Sequence, residues 1–188
     1  MKILRMLAAV WFLVVLPLGA ASAQQGTRTF HDPRGWFSIN LPADWTLAGD
    51  GSLGASFIQG FQSGDTAGLL RSSLAADGPS SFEGQAVPFI GLLALELPRA
   101  VSARTLGQII TSHLPTRWTQ TQGGEARIAG RDAFYVYATT RNNLYAVLVA
   151  IPTPKAAYLV MAGTVNQPDR VNADFTTIGQ ILESIRPK

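Results

Sequence analysis

The sequence predicts an α+β domain: an antiparallel β-sheet with helices on both faces, an α/β/α sandwich. Three observations carry this. First, the late segments 133–140, 145–151 and 156–165 are apolar on both faces. A sheet with one solvated face alternates apolar and polar residues, so these strands need cover on both sides. Second, one amphipathic segment precedes this group and another follows it, which supplies the two covers. Third, the connections are short. Asn142-Asn143 tolerates left-handed backbone angles and closes a hairpin, and 152–155 makes the next turn.

Along the chain, residues 29–32 read as a short strand and Pro33-Arg34-Gly35 as a turn. Residues 36–41 have strong β character, and Pro42-Ala43-Asp44 turns the chain into 45–47. Residues 55–61 and 67–75 read as two moderate strands, and 77–85, rich in Gly, Pro and Ser, as a mobile loop. Residues 89–97 form a nearly continuous apolar run of strand length. Ser102 then caps a helix carrying Leu106, Ile109, Ile110 and Leu114 at helical spacing, and Pro115 ends it. Residues 126–128 begin another strand, bent at Gly130. After the last strand, Asn166 caps a helix with Pro168 in its first turn and Phe175, Ile178, Ile181, Leu182 and Ile185 along one stripe.

The first residues carry an export signal. Lys2 and Arg5 precede an unbroken apolar run, 6–16, followed by Pro17, Gly19 and the small-x-small pattern Ala21-Ser22-Ala23. The run falls short of the roughly 20 residues that span a bilayer. Residues 1–23 therefore read as a signal peptide cleaved after Ala23, residues 24–28 as a flexible leader, and 29–188 as one domain. The expected location is the periplasm or the exterior, with no stable membrane insertion after cleavage. Losing Lys2 and Arg5 leaves 13 basic against 12 acidic residues, a net charge of +1 rather than +3. These charges are scattered, without the basic stripe of a nucleic-acid binder. The chain has no cysteine, which excludes disulfides, thiolate chemistry and a lipid anchor at the cleavage site.

The segment from Trp36 to Trp45 resembles the opening F-S-I-x-x-P-x-x-W of PsbP-like proteins, here Phe37-Ser38-Ile39, Pro42 and Trp45. Residues 92–114 resemble that family's strand and the helix opening with T-L, here Thr105-Leu106. Gly130 and Ala133 resemble the G-x-x-A that enters its long hairpin. Phe175, Ile178 and Ser184-Ile185 resemble its closing helix. The resemblance implies an antiparallel sheet flanked by helices and, in bacterial members such as the DcrB group, a role in the cell envelope. The missing cysteine departs from the lipoprotein members. The family shares a scaffold rather than a reaction, so the resemblance implies no site residue.

Few residues offer chemistry. Gly49-Asp50-Gly51-Ser52-Leu53-Gly54 matches G-x-G-x-x-G, but a dinucleotide site needs that pattern to open a helix after a parallel strand. With 55–61 read as strand, it is a glycine-rich surface turn. His113 falls near the apolar stripe of its helix and reads as a packed residue. His31, Asp32 and Arg34 lie in the most mixed polar-aromatic stretch and form the candidate partner surface. No G-x-S-x-G elbow or zinc or calcium motif occurs. No catalytic residue, cofactor or metal is expected. Trp36, Trp45 and Trp118 read as core residues, with an aromatic platform as the alternative.

The leading expectation is an exported, non-catalytic module that binds or helps assemble an envelope protein. A small-ligand or lipid carrier is the alternative, if 89–97 and the tryptophans line a cavity. A hydrolase resting on His31 or His113 comes third.

Overall fold

The computed structural model describes residues 26–188 except 63, 113, 115 and 116. The expected signal peptide and His113 lie outside the described residues, as does the expected helix stop at Pro115. β1 (Thr27–His31) pairs antiparallel with β2 (Phe37–Pro42), and both belong to a small sheet completed by β10 (Arg186–Pro187). Strand pairing thus begins within the expected leader, with Thr27 opposite Pro42. The large sheet has the order β3 (Thr46–Leu47), β4 (Leu70–Phe82), β5 (Gln85–Glu96), β9 (Ala156–Val165), β8 (Leu144–Pro152), β7 (Arg131–Thr140), β6 (Trp118–Ile128). Every neighbouring pair in it is antiparallel.

The expected sandwich is present. α1 (Leu53–Gly60) and α2 (Ala103–Ser112) pack with one face of the large sheet. α3 (Pro168–Glu183) packs with the other, where the small sheet shares the covering. That small sheet was not expected. Strand β9 shows the principle: all ten of its residues are buried. Ala156, Tyr158, Val160 and Ala162 enter one core, while Ala157, Leu159, Met161 and Val165 enter the other. The period-two alternation of a strand deals its side chains to both sides of the sheet.

Several elements differ from expectation, each for a local reason. Residues 55–61 are largely helix, not strand. Ser52 caps α1, its hydroxyl accepting the Ala55 N–H at 3.0 Å. Leu53, Phe57, Ile58 and Phe61 bury themselves at helical spacing. Gly54 lets α1 touch the sheet: a Cβ there would stand 2.3 Å from the Ile90 carbonyl oxygen. The segment 77–85 is a hairpin rather than a loop. Its strands carry a bulge between Asp77 and Ser80, which accommodates Pro79. Gly78 sits against Pro88, and Glu83 and Gly84, both at positive φ, close the two-residue turn.

Strand β6 begins at Trp118, eight residues before the expected start, and meets β7 through a second such turn at Ala129 and Gly130. The β7–β8 hairpin closes as expected through 141–143, with Asn143 at φ 55°. Ser102 caps α2, accepting the Thr105 N–H at 3.1 Å. The α3 cap is Gln167 rather than Asn166, with Pro168 in the first turn as expected.

Candidate functional site

The first turn of the fold places two of the three expected partner residues. Asp32 follows β1 and organises the β1–β2 turn. Its carboxylate accepts the Trp36 N–H at 2.8 Å and the Ser72 hydroxyl at 2.5 Å, and its carbonyl accepts the Gly35 N–H at 2.8 Å. Gly35 takes a positive φ of 75° at this tight turn. Burial works to raise the Asp32 pKa. The hydrogen bonds from Ser72 and the backbone of Trp36 and Arg34, with the Arg34 charge, outweigh it and hold the carboxyl below its usual range. Asp32 is only 7% exposed. It is an internal anchor tying this turn to β4, and not the surface contact the sequence suggested. Arg34 is exposed and reaches across to β4, where its guanidinium donates to the Arg71 carbonyl at 2.6 Å. His31 is exposed opposite Ser38, and among the described residues its side chain makes no hydrogen bond.

Beside this turn, β4 forms an incompletely paired edge. β3 covers it at two positions only, Thr46 opposite Asp77 and Leu47 opposite Ala76. The Ala48 N–H adds one bond to the Ala75 carbonyl, at 2.9 Å. Two open clefts lie along the exposed stretch. One, of about 420 Å³, runs between the β3–α1 loop (Ala48, Gly49, Asp50), α1 (Ile58, Gln59) and β4 (Ser73, Ala75). The other, of about 450 Å³, runs between the Asp32–Arg34 turn, Ala67 and β4 (Leu70, Ser72, Ser73). Gln62 and Ser73 line both. Together they make one slot whose floor is the edge of β4. Helix α1 walls it on one face of the sheet and the Asp32 turn on the other. Leu47, at the β3 end, is 54% exposed.

The glycine pattern 49–54 belongs to this slot. It does open a helix, contrary to expectation, but the strand before it is β3, short and antiparallel. Gly54 serves the contact between α1 and β5, and Gly49 has open space around it. The three tryptophans do not assemble. Trp45 lies in the core with α3, Trp118 in the core with α1 and α2, and Trp36 is half-buried. The 89–97 run does not line the slot either: Phe89, Ile90, Leu92, Leu93 and Ala94 are fully buried in the two cores. A carrier cavity built on those residues is therefore absent from the described structure. Among the described residues no three metal-ligating side chains cluster, and no helix is long and apolar enough to cross a membrane.

A second group went unread in the sequence. Tyr137 and Tyr145 stack with ring centroids 5.4 Å apart, and Tyr135 and Phe175 pack edgewise and obliquely around Tyr137. Burial, with the neighbouring phenols, raises the pKa of Tyr137 and Tyr145. These rings face each other and fill the flank of α3.

No protein-family model matches this sequence, and no curated protein matches it. Solved structures do. The solution structure of cyanobacterial PsbP (CyanoP) from Synechocystis sp. PCC 6803 superposes with a TM-score of 0.56 at 8% identity, covering 92% of this chain and 99% of that one. LpqN of Mycobacterium tuberculosis, described as involved in cell envelope biogenesis, superposes with a TM-score of 0.50 at 13% identity, covering 85% of this chain and 89% of that one. At these identities the likeness is one of fold, and that fold is PsbP-like.

Proposed function

We propose that this chain is an exported module of the cell envelope, in an envelope-associated branch of PsbP-like proteins akin to the DcrB group, that binds another protein or helps it assemble. It works without catalysis, in the periplasm or outside the cell, after removal of residues 1–23. The observation that carries the binding role is the slot along β4. It is a walled surface lined largely by polar and small residues, with Ile58, Leu70 and Ala75 its points of contact with the core behind α1. The export signal and the fold shared with LpqN support the location.

Site-directed photo-crosslinking in cells tests this reading. A crosslinker at Gln62, in the slot, gives a discrete adduct with one recurring protein, and one at the exposed Asn172 on α3 does not. Absence of any protein adduct from positions 34, 59 and 62 overturns the reading. Intact mass of the exported protein tests the cleavage site, and a species retaining Met1 sinks it.

A further inference from the structure

In an antiparallel ladder a residue's N–H and C=O point to the same neighbour, and successive residues alternate. The Ala75 carbonyl accepts from Ala48, so Ala75 faces away from β5. From Ser72 to Asp77 the β4–β5 register runs without irregularity, so Ser73 faces outward as well. No strand lies there, because the last β3 pair is Leu47 with Ala76. On one side of Ser73, the Arg71 carbonyl is taken by Arg34, and on the other the Ala75 carbonyl is taken by Ala48. Among the described residues nothing bonds the Ser73 N–H or C=O. This free pair sits where the two clefts meet.

We infer that the slot takes an extended peptide of a protein partner, which adds a strand to β4 through the Ser73 N–H and C=O. This deepens the binding role proposed above and rests on it. An unpaired donor and acceptor at a sheet edge are complementary to another strand, and continuing the ladder places that strand about 4.8 Å from β4. A partner strand there satisfies both groups at once, which a helix with its own backbone bonds closed cannot do. Charge sorts the ends. Arg34 stands at the turn end, with donors left beyond its bond to Arg71, and exposed Asp50 stands at the β3-loop end. The bound peptide therefore carries an acidic side chain beside Arg34 and a basic one beside Asp50.

The test uses the exported protein and a phage-displayed library of random heptapeptides. Selected peptides are synthesised and their affinity measured for wild type, Ser73→Pro and Ser73→Ala. Proline removes only an outward N–H at this edge and no bond to β5, so the fold tolerates it, as a melt will verify. Ser73→Pro weakens binding about tenfold or more, because the peptide's acceptor loses its donor. Ser73→Ala binds within about twofold of wild type, because the side chain is not used. In wild type, saturating peptide slows hydrogen exchange of the Ser73 amide about tenfold or more, a readout that needs no variant to fold. Peptides that bind Ser73→Pro as tightly as wild type, or leave the Ser73 amide unchanged, overturn strand addition while leaving the broader binding role standing. A library that yields no binder overturns it as well. The crosslinking result then decides the broader role by itself.

Discussion

The large sheet ends in two edges that meet the same hazard differently. β6 presents an eleven-residue outer edge that is mostly exposed. An edge of that length is a template for unwanted pairing, and proteins blunt such edges with bulges and charges. β6 has both. Its register slips between Gln120 and Gln122, Glu125 pairs with Arg104 at 3.1 Å, and Arg127 lies 4.0 Å from Asp132. Tyr135 lies over Gly124 from the neighbouring strand. The β4 edge has a short covering strand, one arginine on one carbonyl, and a bare position at Ser73 between two walls. A long edge protected by its own side chains repels every strand. A short gap protected by walls admits only a strand that fits between them.

The strongest way to break this contrast is to lift a wall. Gly54→Ala puts a methyl 2.3 Å from the Ile90 carbonyl and pushes α1 off β5. A urea melt should show a loss of about 2–3 kcal/mol, as for other overpacked cores. A loss near zero would mean that α1 is not seated on β5 as described.

The opposite wall depends on Asp32. Asp32→Ala leaves the buried Ser72 hydroxyl and the Trp36 N–H without their partner, at a cost of about 1–3 kcal/mol. The same carboxylate gives a pH signature. Its folded-state pKa lies below the ordinary 3.8, so its stabilisation is complete above that value and is lost as pH falls through the folded value. Melts of wild type and Asp32→Asn below pH 4 should converge. Parallel curves across that range would remove Asp32 as the anchor.

At the covered part of the same edge, Asp77 has the reverse sign. Among the described residues its buried Oδ1 has no partner, and burial raises its pKa above 3.8. Its contribution is complete below that value and is lost as pH rises through the folded value, so the neutral-pH carboxylate destabilises the fold. Asp77→Asn should raise stability at pH 7 by about 1 kcal/mol and leave it unchanged in acid. A destabilised variant at pH 7 would mean that the carboxylate has found a partner.

The smallest effect on stability sharpens the contrast most. Replacing Glu125 and Arg127 together with Val removes two exposed ion pairs worth under about 1 kcal/mol each. Sedimentation should nevertheless show concentration-dependent association through β6. Ser73→Val should show none, because the walls still limit access. Association in neither variant would mean that the bulge alone guards β6.

The sheet was legible because its signal is local. Continuous apolar runs at 133–140, 145–151 and 156–165 have no use except burial on both faces, and the expected 156–165 strand matches β9 end to end. The segment 55–61 was misread although Leu53, Phe57, Ile58 and Phe61 hold helical spacing, because its short apolar stretches satisfy strand and helix alike. The 77–85 hairpin was misread because bulges and tight turns draw on the same Gly, Pro and Ser as loops. The site was less legible. Arg34 does line the slot, but Asp32 is buried by Ser72, forty residues away, and no local pattern encodes that contact. Ser73 carries no signal of its own. Its importance comes from where β3 stops, which is a matter of register between distant segments.

The division of the interior by the large sheet has a mechanical result. Helix α1 is rooted in the core it shares with α2, whereas β2, which follows the Asp32 turn, is rooted in the core it shares with α3. The slot thus has two jaws hung on separate hinges, and the Asp32–Ser72 bond and the reach of Arg34 to Arg71 fasten one of them to the β4 floor. Repacking one core adjusts one jaw and leaves the other at rest. The gauge of the opening can therefore be tuned from either side without redrawing the strand that forms its floor.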